Sequence, residues 1–113
     1  MSILSRVARF LGWRPIGANV SVRVDESTNS LIVGTELTAT VASIKEDGSF
    51  ILRLATPLMQ GGRPMQEVIA YPRNRGFDIF HIAIGSIAVY LSPCEGNESD
   101  QRFASALVKR HKP

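Results

Sequence analysis

The chain contains few of the residue types from which catalytic and metal-binding sites are usually built. It has one cysteine, Cys94, and two histidines, His81 and His111, which lie thirty residues apart. One cysteine cannot form an internal disulfide, and this set lacks the spacing of zinc ligands. We therefore expect no metal site and no cofactor, a structural role for Cys94, and a reducing, cytoplasmic environment.

Sequence patterns typical of enzymes are also missing. No serine stands in a nucleophile-elbow sequence, and the pair Gly61-Gly62 is not followed by the Lys-Ser or Lys-Thr of a phosphate-binding loop. Paired acids such as Asp25-Glu26 fall in predicted turns. A solvent-exposed carboxylate in a turn is not activated for catalysis by its surroundings. The sequence predicts no catalytic residue and a protein that is not an enzyme.

Long apolar runs and a strong excess of one charge are absent. No stretch approaches the ~20 residues that span a bilayer, so we expect a soluble protein. The formal net charge is +3, but residues 1–24 carry four arginines and no acid, whereas residues 25–93 carry five basic and seven acidic residues. Because phosphate binding needs a clustered basic face, the net charge alone does not indicate a nucleic-acid partner.

The clearest positive signal is a β-hairpin within residues 34–54. Apolar and polar side chains alternate on both sides of Asp47-Gly48, which supplies the turn. A similar alternation in residues 19–24 predicts the first strand. The side chains that we expect on the apolar face of the hairpin are Leu37, Ala39, Val41, Phe50, Leu52 and Leu54.

Residues 78–91 are apolar on both faces when they are placed on a strand. They predict either a second hairpin around Gly85-Ser86 or one strand bent at Gly85. A strand of this kind must be covered on both sides, so we expect the barrel interior on one side and a terminal helix on the other. His81, within this segment, is expected to be a hydrogen-bonded structural residue.

Both ends of the chain have helical periodicity. Residues 1–14 predict an amphipathic helix, with an apolar stripe in residues 2–13 that either covers the barrel or docks on a membrane surface or a partner. Residues 97–112 predict a second helix, capped by Asn97 or Ser99 and ending in a basic Lys-Arg-His-Lys run. The β-barrel is expected between them, in residues 18–93 of a single domain.

Two predicted loops within the barrel region are candidates for partner contacts. Residues 59–65 form a glycine-containing loop, and Met59 and Met65 either grip a partner or pack on the core. Residues 72–76 form a turn in which Arg73 and Arg75 are either simply solvated or bind a phosphate or an acidic partner.

The hairpin also resembles the opening of RNA-binding OB-fold domains of ribosomal and RNA-processing proteins. The matching positions are Gly34, Val41, Ile44, Gly48 and Phe50, and residues 85–91 are similar to a later strand of that family. The resemblance covers roughly thirty residues; it departs from the family in lacking a histidine-containing stretch shortly after the hairpin. It implies single-strand binding by stacking on Phe50 and by cations such as Arg53, Arg73 and Arg75.

The sequence thus predicts a mainly β fold, a small antiparallel barrel or curved sheet of five to seven strands with a short helix at each end. The expected function is that of a non-catalytic binding module, with a protein partner or a homo-oligomer contacted through the helical ends and loops. The alternative is an OB-like barrel that binds single-stranded nucleic acid, and a peripheral membrane contact through residues 2–13 is a further possibility. The candidate contact residues are Phe50, Arg53, Arg73, Arg75 and Phe77.

Overall fold

The computed structural model describes residues 14–27, 33–60, 62–74, 76–83, 85–94 and 102–111. Six antiparallel strands form a closed barrel in which each strand pairs with its neighbours in sequence and the last pairs with the first. The predicted mainly β barrel is therefore confirmed. The strands are β1 (Asn19–Ser27), β2 (Glu36–Ile44), β3 (Phe50–Gln60), β4 (Arg63–Pro72), β5 (Ser86–Pro93) and β6 (Ala104–Arg110), and a 3₁₀ helix (Ile79–Ala83) joins β4 to β5.

The β2–β3 hairpin forms where the alternation predicts it. The carboxylate of Asp47 accepts hydrogen bonds from the backbone N–H of Ser49, at 2.9 Å, and from its hydroxyl, at 2.5 Å. Gly48 has a φ of 90°, a left-handed conformation that glycine adopts without strain. The turn therefore depends on both residues of the Asp-Gly pair.

The barrel interior is filled by alternate side chains of all six strands. This period of two places one face of each strand inside and the other outside. The closed ring leaves no sheet edge along its wall, which removes the unpaired backbone groups of an open sheet. The side chains at 1% exposure or less in this core include Val20, Val22, Val24, Val41, Phe50, Leu52, Leu54, Val68, Ile87, Val89, Leu91, Ala106 and Val108.

The segment before β5 differs from the prediction. Residues 79–83 form the 3₁₀ helix, so the expected hairpin or bent strand over residues 78–91 is wrong for its first half. Ile79 and Ile82 are buried in the core cluster, and the helix contacts β5 and β6. The apolar residues that suggested a doubly covered strand therefore pack into the barrel from its end, where the β4–β5 connection lies.

Where the sequence predicted a glycine-containing loop over residues 59–65, β3 continues to Gln60 and β4 begins at Arg63. β3 and β4 remain paired from Leu58↔Met65 to Gln60↔Arg63, after a bulge between Arg53 and Leu58. Pairing with β2 ends at Leu54, and pairing with β5 begins at Val68. We call residues 55–66 the β3–β4 arm, because in the described register this part of the hairpin pairs only with itself.

The predicted C-terminal helix over residues 97–112 is wrong, because residues 104–110 form β6 and close the barrel between β5 and β1. The barrel thus extends beyond the expected boundary at residue 93. Residues 1–13, where the amphipathic helix is expected, lie outside the described residues. Within the described ranges, no helix is long and apolar enough to cross a membrane.

Candidate functional site

The candidate site is centred on Tyr90, whose side chain lies on the outer wall of the barrel. In the register, Tyr90 stands between Tyr71 of β4 and Ser105 of β6, and Ser105 stands opposite Glu26 of β1. The ring of Tyr90 points outward because its neighbours Val89 and Leu91 fill the interior. Tyr90 is half-buried, so part of its side chain is accessible.

Two arginines approach the Tyr90 ring from different parts of the chain. The guanidinium carbon of Arg102 lies 4.4 Å from the ring centroid, and that of Arg73 lies 5.1 Å from it. Both distances are within the range of cation–π attraction. Arg73 follows β4, where its N–H donates to the carbonyl of Ala88 at 2.9 Å, and Arg102 precedes β6. We call Arg73, Tyr90 and Arg102 the arginine–tyrosine cluster.

The two guanidinium groups keep donors available for a ligand. A guanidinium has five N–H groups in one plane, and stacking on a ring does not use them. Among the described residues, neither arginine has a carboxylate within ion-pair distance. The cluster therefore concentrates two positive charges on the barrel wall without a described acidic partner.

An open cleft of about 310 Å³ adjoins the cluster. One wall is stabilised by a hydrogen bond from the hydroxyl of Ser27 to the carbonyl of Phe103, at 3.0 Å, which joins the end of β1 to the start of β6. Glu26, on β1, and Arg102, which precedes β6, both line this cleft. The cleft is lined by Glu26, Ser27, Tyr90, Arg102, Phe103, Ala104 and Ser105.

The predicted partner-contact residues that the structure describes lie in different environments. Phe50 is fully buried in the core, so its ring is not available to stack on a nucleic-acid base. Arg53 is exposed and its Nη2 lies 3.7 Å from a carboxylate oxygen of Glu67. Arg73 belongs to the arginine–tyrosine cluster. Arg75 lies outside the described residues.

Phe77 and His81 form a separate ring pair beside the 3₁₀ helix. Phe77 is 40% exposed, and its ring centroid lies 4.5 Å from that of His81. His81 is buried, and its Nδ1 accepts a hydrogen bond from the backbone N–H of Asp78 at 3.0 Å. The prediction of a hydrogen-bonded structural histidine is confirmed.

The sequence did not predict the contact between Tyr90 and Arg102, because residues 97–112 were predicted to form a helix and Arg102 was therefore not placed beside β5. The buried Ala104, Ala106 and Val108 do recur with a period of two, but the positions between them are Ser105, Leu107 and Lys109, so an apolar residue interrupts the polar face. The pairing with β5 that places Arg102 beside Tyr90 is seen only in the structure. The short side chains of Ala104 and Ala106 made the helical and strand patterns hard to distinguish.

The described residues include no group of three or more His, Cys, Asp or Glu side chains that could hold a metal ion. In comparisons with known proteins, no family model matches the chain, and neither a curated protein nor a solved structure matches it.

Proposed function

We propose that this chain is a non-catalytic binding module and that its partner is a protein carrying exposed carboxylates, which bind at the arginine–tyrosine cluster. The observation that carries the proposal is the pair of guanidiniums at 4.4 and 5.1 Å from one half-buried ring, without a carboxylate partner among the described residues. A carboxylate matches the planar fork of an arginine and forms two parallel hydrogen bonds with it.

The adjoining cleft favours binding of an individual acidic side chain over general attraction of a negatively charged surface. Its volume of about 310 Å³ is at the lower end of the range for small-ligand sites. The apolar wall from Phe103 and Ala104 can contact the stem of a Glu or Asp side chain while Arg102 binds its carboxylate. Glu26 repels an anion from the β1 side and so directs it toward Arg102 and Tyr90.

The proposal is tested with a fluorescent glutamate-rich peptide and fluorescence anisotropy. We expect Arg73→Gln combined with Arg102→Gln to weaken binding by about tenfold or more, because charge-assisted hydrogen bonds are lost. The control combines Arg14→Gln with Lys45→Gln, which removes the same charge from two exposed residues outside the cluster. Equal weakening by both double variants would mean that net charge, not the cluster, determines binding.

A second candidate function is single-strand nucleic-acid binding. It is favoured by the position of the Tyr90 ring between the guanidinium groups of Arg73 and Arg102. Cations beside an aromatic ring are the elements with which proteins hold unpaired nucleotides. A base would compete with both guanidiniums for the ring of Tyr90, which is why we place this candidate second. The barrel has six strands in consecutive order, whereas an OB-fold has five in Greek-key order.

Both candidate partners are anionic, so the binding of either one weakens as salt is added, and relative affinity at a fixed salt concentration distinguishes them. Binding led by phosphates weakens steeply as salt is added, with a slope set by the number of phosphates contacted. We therefore expect a single-stranded oligonucleotide to bind more weakly than the glutamate-rich peptide in about 0.15 M salt, where exposed charges are screened beyond roughly 8 Å. If the oligonucleotide binds more tightly than the peptide, and Arg73→Gln combined with Arg102→Gln abolishes that binding, nucleic-acid binding becomes the first candidate.

A further inference from the structure

A second cleft lies on the barrel wall at the other end of β6 from Arg102. It has a volume of about 510 Å³, within the range of small-molecule sites. It spans the outer faces of β2, β1 and β6, and it shares no lining residue with the cleft beside Tyr90. Its lining residues are Ser21, Glu36, Thr38, Lys109, Arg110 and His111.

The strand register places three polar side chains in a row across this cleft. Ser21 of β1 stands opposite Thr38 of β2 on one side and opposite Lys109 of β6 on the other. Directly opposite residues in an antiparallel sheet have Cβ atoms about 5 Å apart. Two hydroxyls and an ammonium group therefore line one continuous strip of the wall.

His111 is held at the edge of the same strip. Its Nδ1 lies 3.1 Å from the hydroxyl oxygen of Ser21, which is 6% exposed, and its backbone N–H donates to the carbonyl of Asn19 at 3.1 Å. These two contacts position the imidazole ring, while the residue as a whole is exposed. Nε2 is the ring nitrogen that remains to contact a ligand.

The charges around the strip are unequal. Lys109 and Arg110 are cations, and Glu36 is the one carboxylate among the lining residues. Glu36 stands opposite Arg23 in the β1–β2 register. Arg110 donates to the carbonyl of Ala83 at 3.5 Å, whereas Lys109 is the cation that stands opposite Ser21 in the register.

We propose that this second cleft binds a small hydroxylated phosphate monoester. Lys109 and His111 hold the phosphate, and the Thr38 hydroxyl donates a further hydrogen bond to it. Glu36 accepts a hydrogen bond from a hydroxyl of the organic group, which gives the carboxylate a role that a bare phosphate would not use. A lysine ammonium beside hydroxyl donors suits a phosphate, whose oxygens accept hydrogen bonds from several directions.

The experiment is a titration of the ¹⁵N-labelled protein with glucose 6-phosphate, inorganic phosphate and glucose, followed by amide NMR at constant ionic strength. We expect glucose 6-phosphate to shift the amide signals of Ser21, Thr38 and Lys109, and to bind more tightly than inorganic phosphate. Glucose alone should cause no shifts. Shifts that spread over all exposed basic residues, or that a matched amount of chloride reproduces, would overturn the proposal.

Single substitutions distinguish binding at this cleft from general attraction between the protein's net charge and an anion. Lys109→Gln should weaken the binding of glucose 6-phosphate and of inorganic phosphate by about tenfold, the loss expected for one charge-assisted contact. Glu36→Gln should increase the affinity for inorganic phosphate, because a repulsive charge is removed. It should also reduce the ratio of the affinity for glucose 6-phosphate to the affinity for inorganic phosphate. Binding that remains unchanged in Lys109→Gln contradicts the proposal.

The arginine–tyrosine cluster provides the control. Arg102→Gln removes the same charge as Lys109→Gln, but from the other cleft, so it should leave glucose 6-phosphate binding unchanged. Loss of phosphate binding in Arg102→Gln would assign the ligand to the cluster and overturn the second site. Peptide binding at the cluster is measured separately, so each proposal fails or survives by itself.

Discussion

The guanidinium group of Arg102 lies over the ring of Tyr90, 4.4 Å from the ring centroid, although twelve positions separate the two residues in the chain. The antiparallel pairing of β5 with β6 brings them together, since Tyr90 stands opposite Ser105 and Leu91 opposite Ala104. Pairing of β6 with β5 therefore creates the contact between Arg102 and Tyr90, and pairing of β6 with β1 adds Glu26 and Ser27 to the cleft beside it.

Tyr90→Leu is expected to remove the ring that both arginines contact. We expect weaker binding of the glutamate-rich peptide and a free energy of unfolding lower by about 1 kcal/mol, the size of a cation–π contact near a surface. Tyr90→Phe keeps the ring, so it should keep most of the peptide affinity and most of the free energy of unfolding. Urea unfolding and fluorescence anisotropy measure the two effects, and equal losses in both variants would assign the effect to the hydroxyl instead.

The β3–β4 arm can be tested with two adjacent residues. Leu58 is 5% exposed and belongs to the core cluster, whereas Met59 is 55% exposed. We expect Leu58→Ala to lower the free energy of unfolding by about 2–4 kcal/mol, because it leaves a cavity in the core. Met59→Ala should change it by less than about 0.5 kcal/mol. Similar, small effects of both in urea unfolding would support the flexible loop that the sequence suggested.

The assignment of β6 as a strand predicts opposite outcomes at two neighbouring positions. Ala106 is fully buried, and Leu107 is 39% exposed on the outer wall. Ala106→Asp should destabilise the fold by about 3 kcal/mol or more, since it puts an unpaired charge in the core. Leu107→Asp should leave a folded protein. In the predicted helix both residues share one face, so comparable destabilisation in thermal unfolding would contradict the strand.

Asp47 predicts a pH dependence of stability. Hydrogen bonds from the Ser49 side chain and backbone lower the pKa of Asp47 below its ordinary value of 3.8. A group with a lowered pKa in the folded state contributes its stabilisation above the pKa of the unfolded chain. That stabilisation is lost as the pH falls through the folded value.

Asp47→Asn should therefore lower the urea midpoint near pH 7, and the difference from the unmodified protein should shrink below pH 3.8. Glu46→Gln, a change to the neighbouring exposed acid in the same turn, is the control and should show no such gap. A difference in midpoint that persists unchanged at low pH would show that the charge of Asp47 does not matter.

The fold could be predicted from the sequence where local signals were strong. The Asp47-Gly48 turn, the alternation around it and the first strand are local patterns, and each is present in the structure. The predictions failed where the same residues satisfy two patterns. In residues 104–108 the apolar side chains fit one face of a helix as well as alternate positions of a strand, and pairing with β5 and β1 decides in favour of the strand.

The candidate site could be predicted only in part. Arg73 was recognised as an exposed cation in a turn, but its contact with Tyr90 depends on pairing between β4 and β5. Stacking on Phe50 was implied by the resemblance to OB-fold domains, whereas the hairpin alternation places Phe50 on the apolar face, and the structure buries it in the core. The burial of Phe50 thus follows from one segment, but the contact between Arg73 and Tyr90 does not.

Local sequence patterns specify a β-rich core around the 34–54 hairpin, because period-two alternation and an Asp-Gly turn are properties of a few adjacent residues. Contacts between distant segments specify that residues 104–110 are a strand, that the barrel closes, and which charged side chains meet on its wall. The physical reason is that an open sheet leaves unpaired backbone groups at its edges, and only pairing between distant segments can satisfy them.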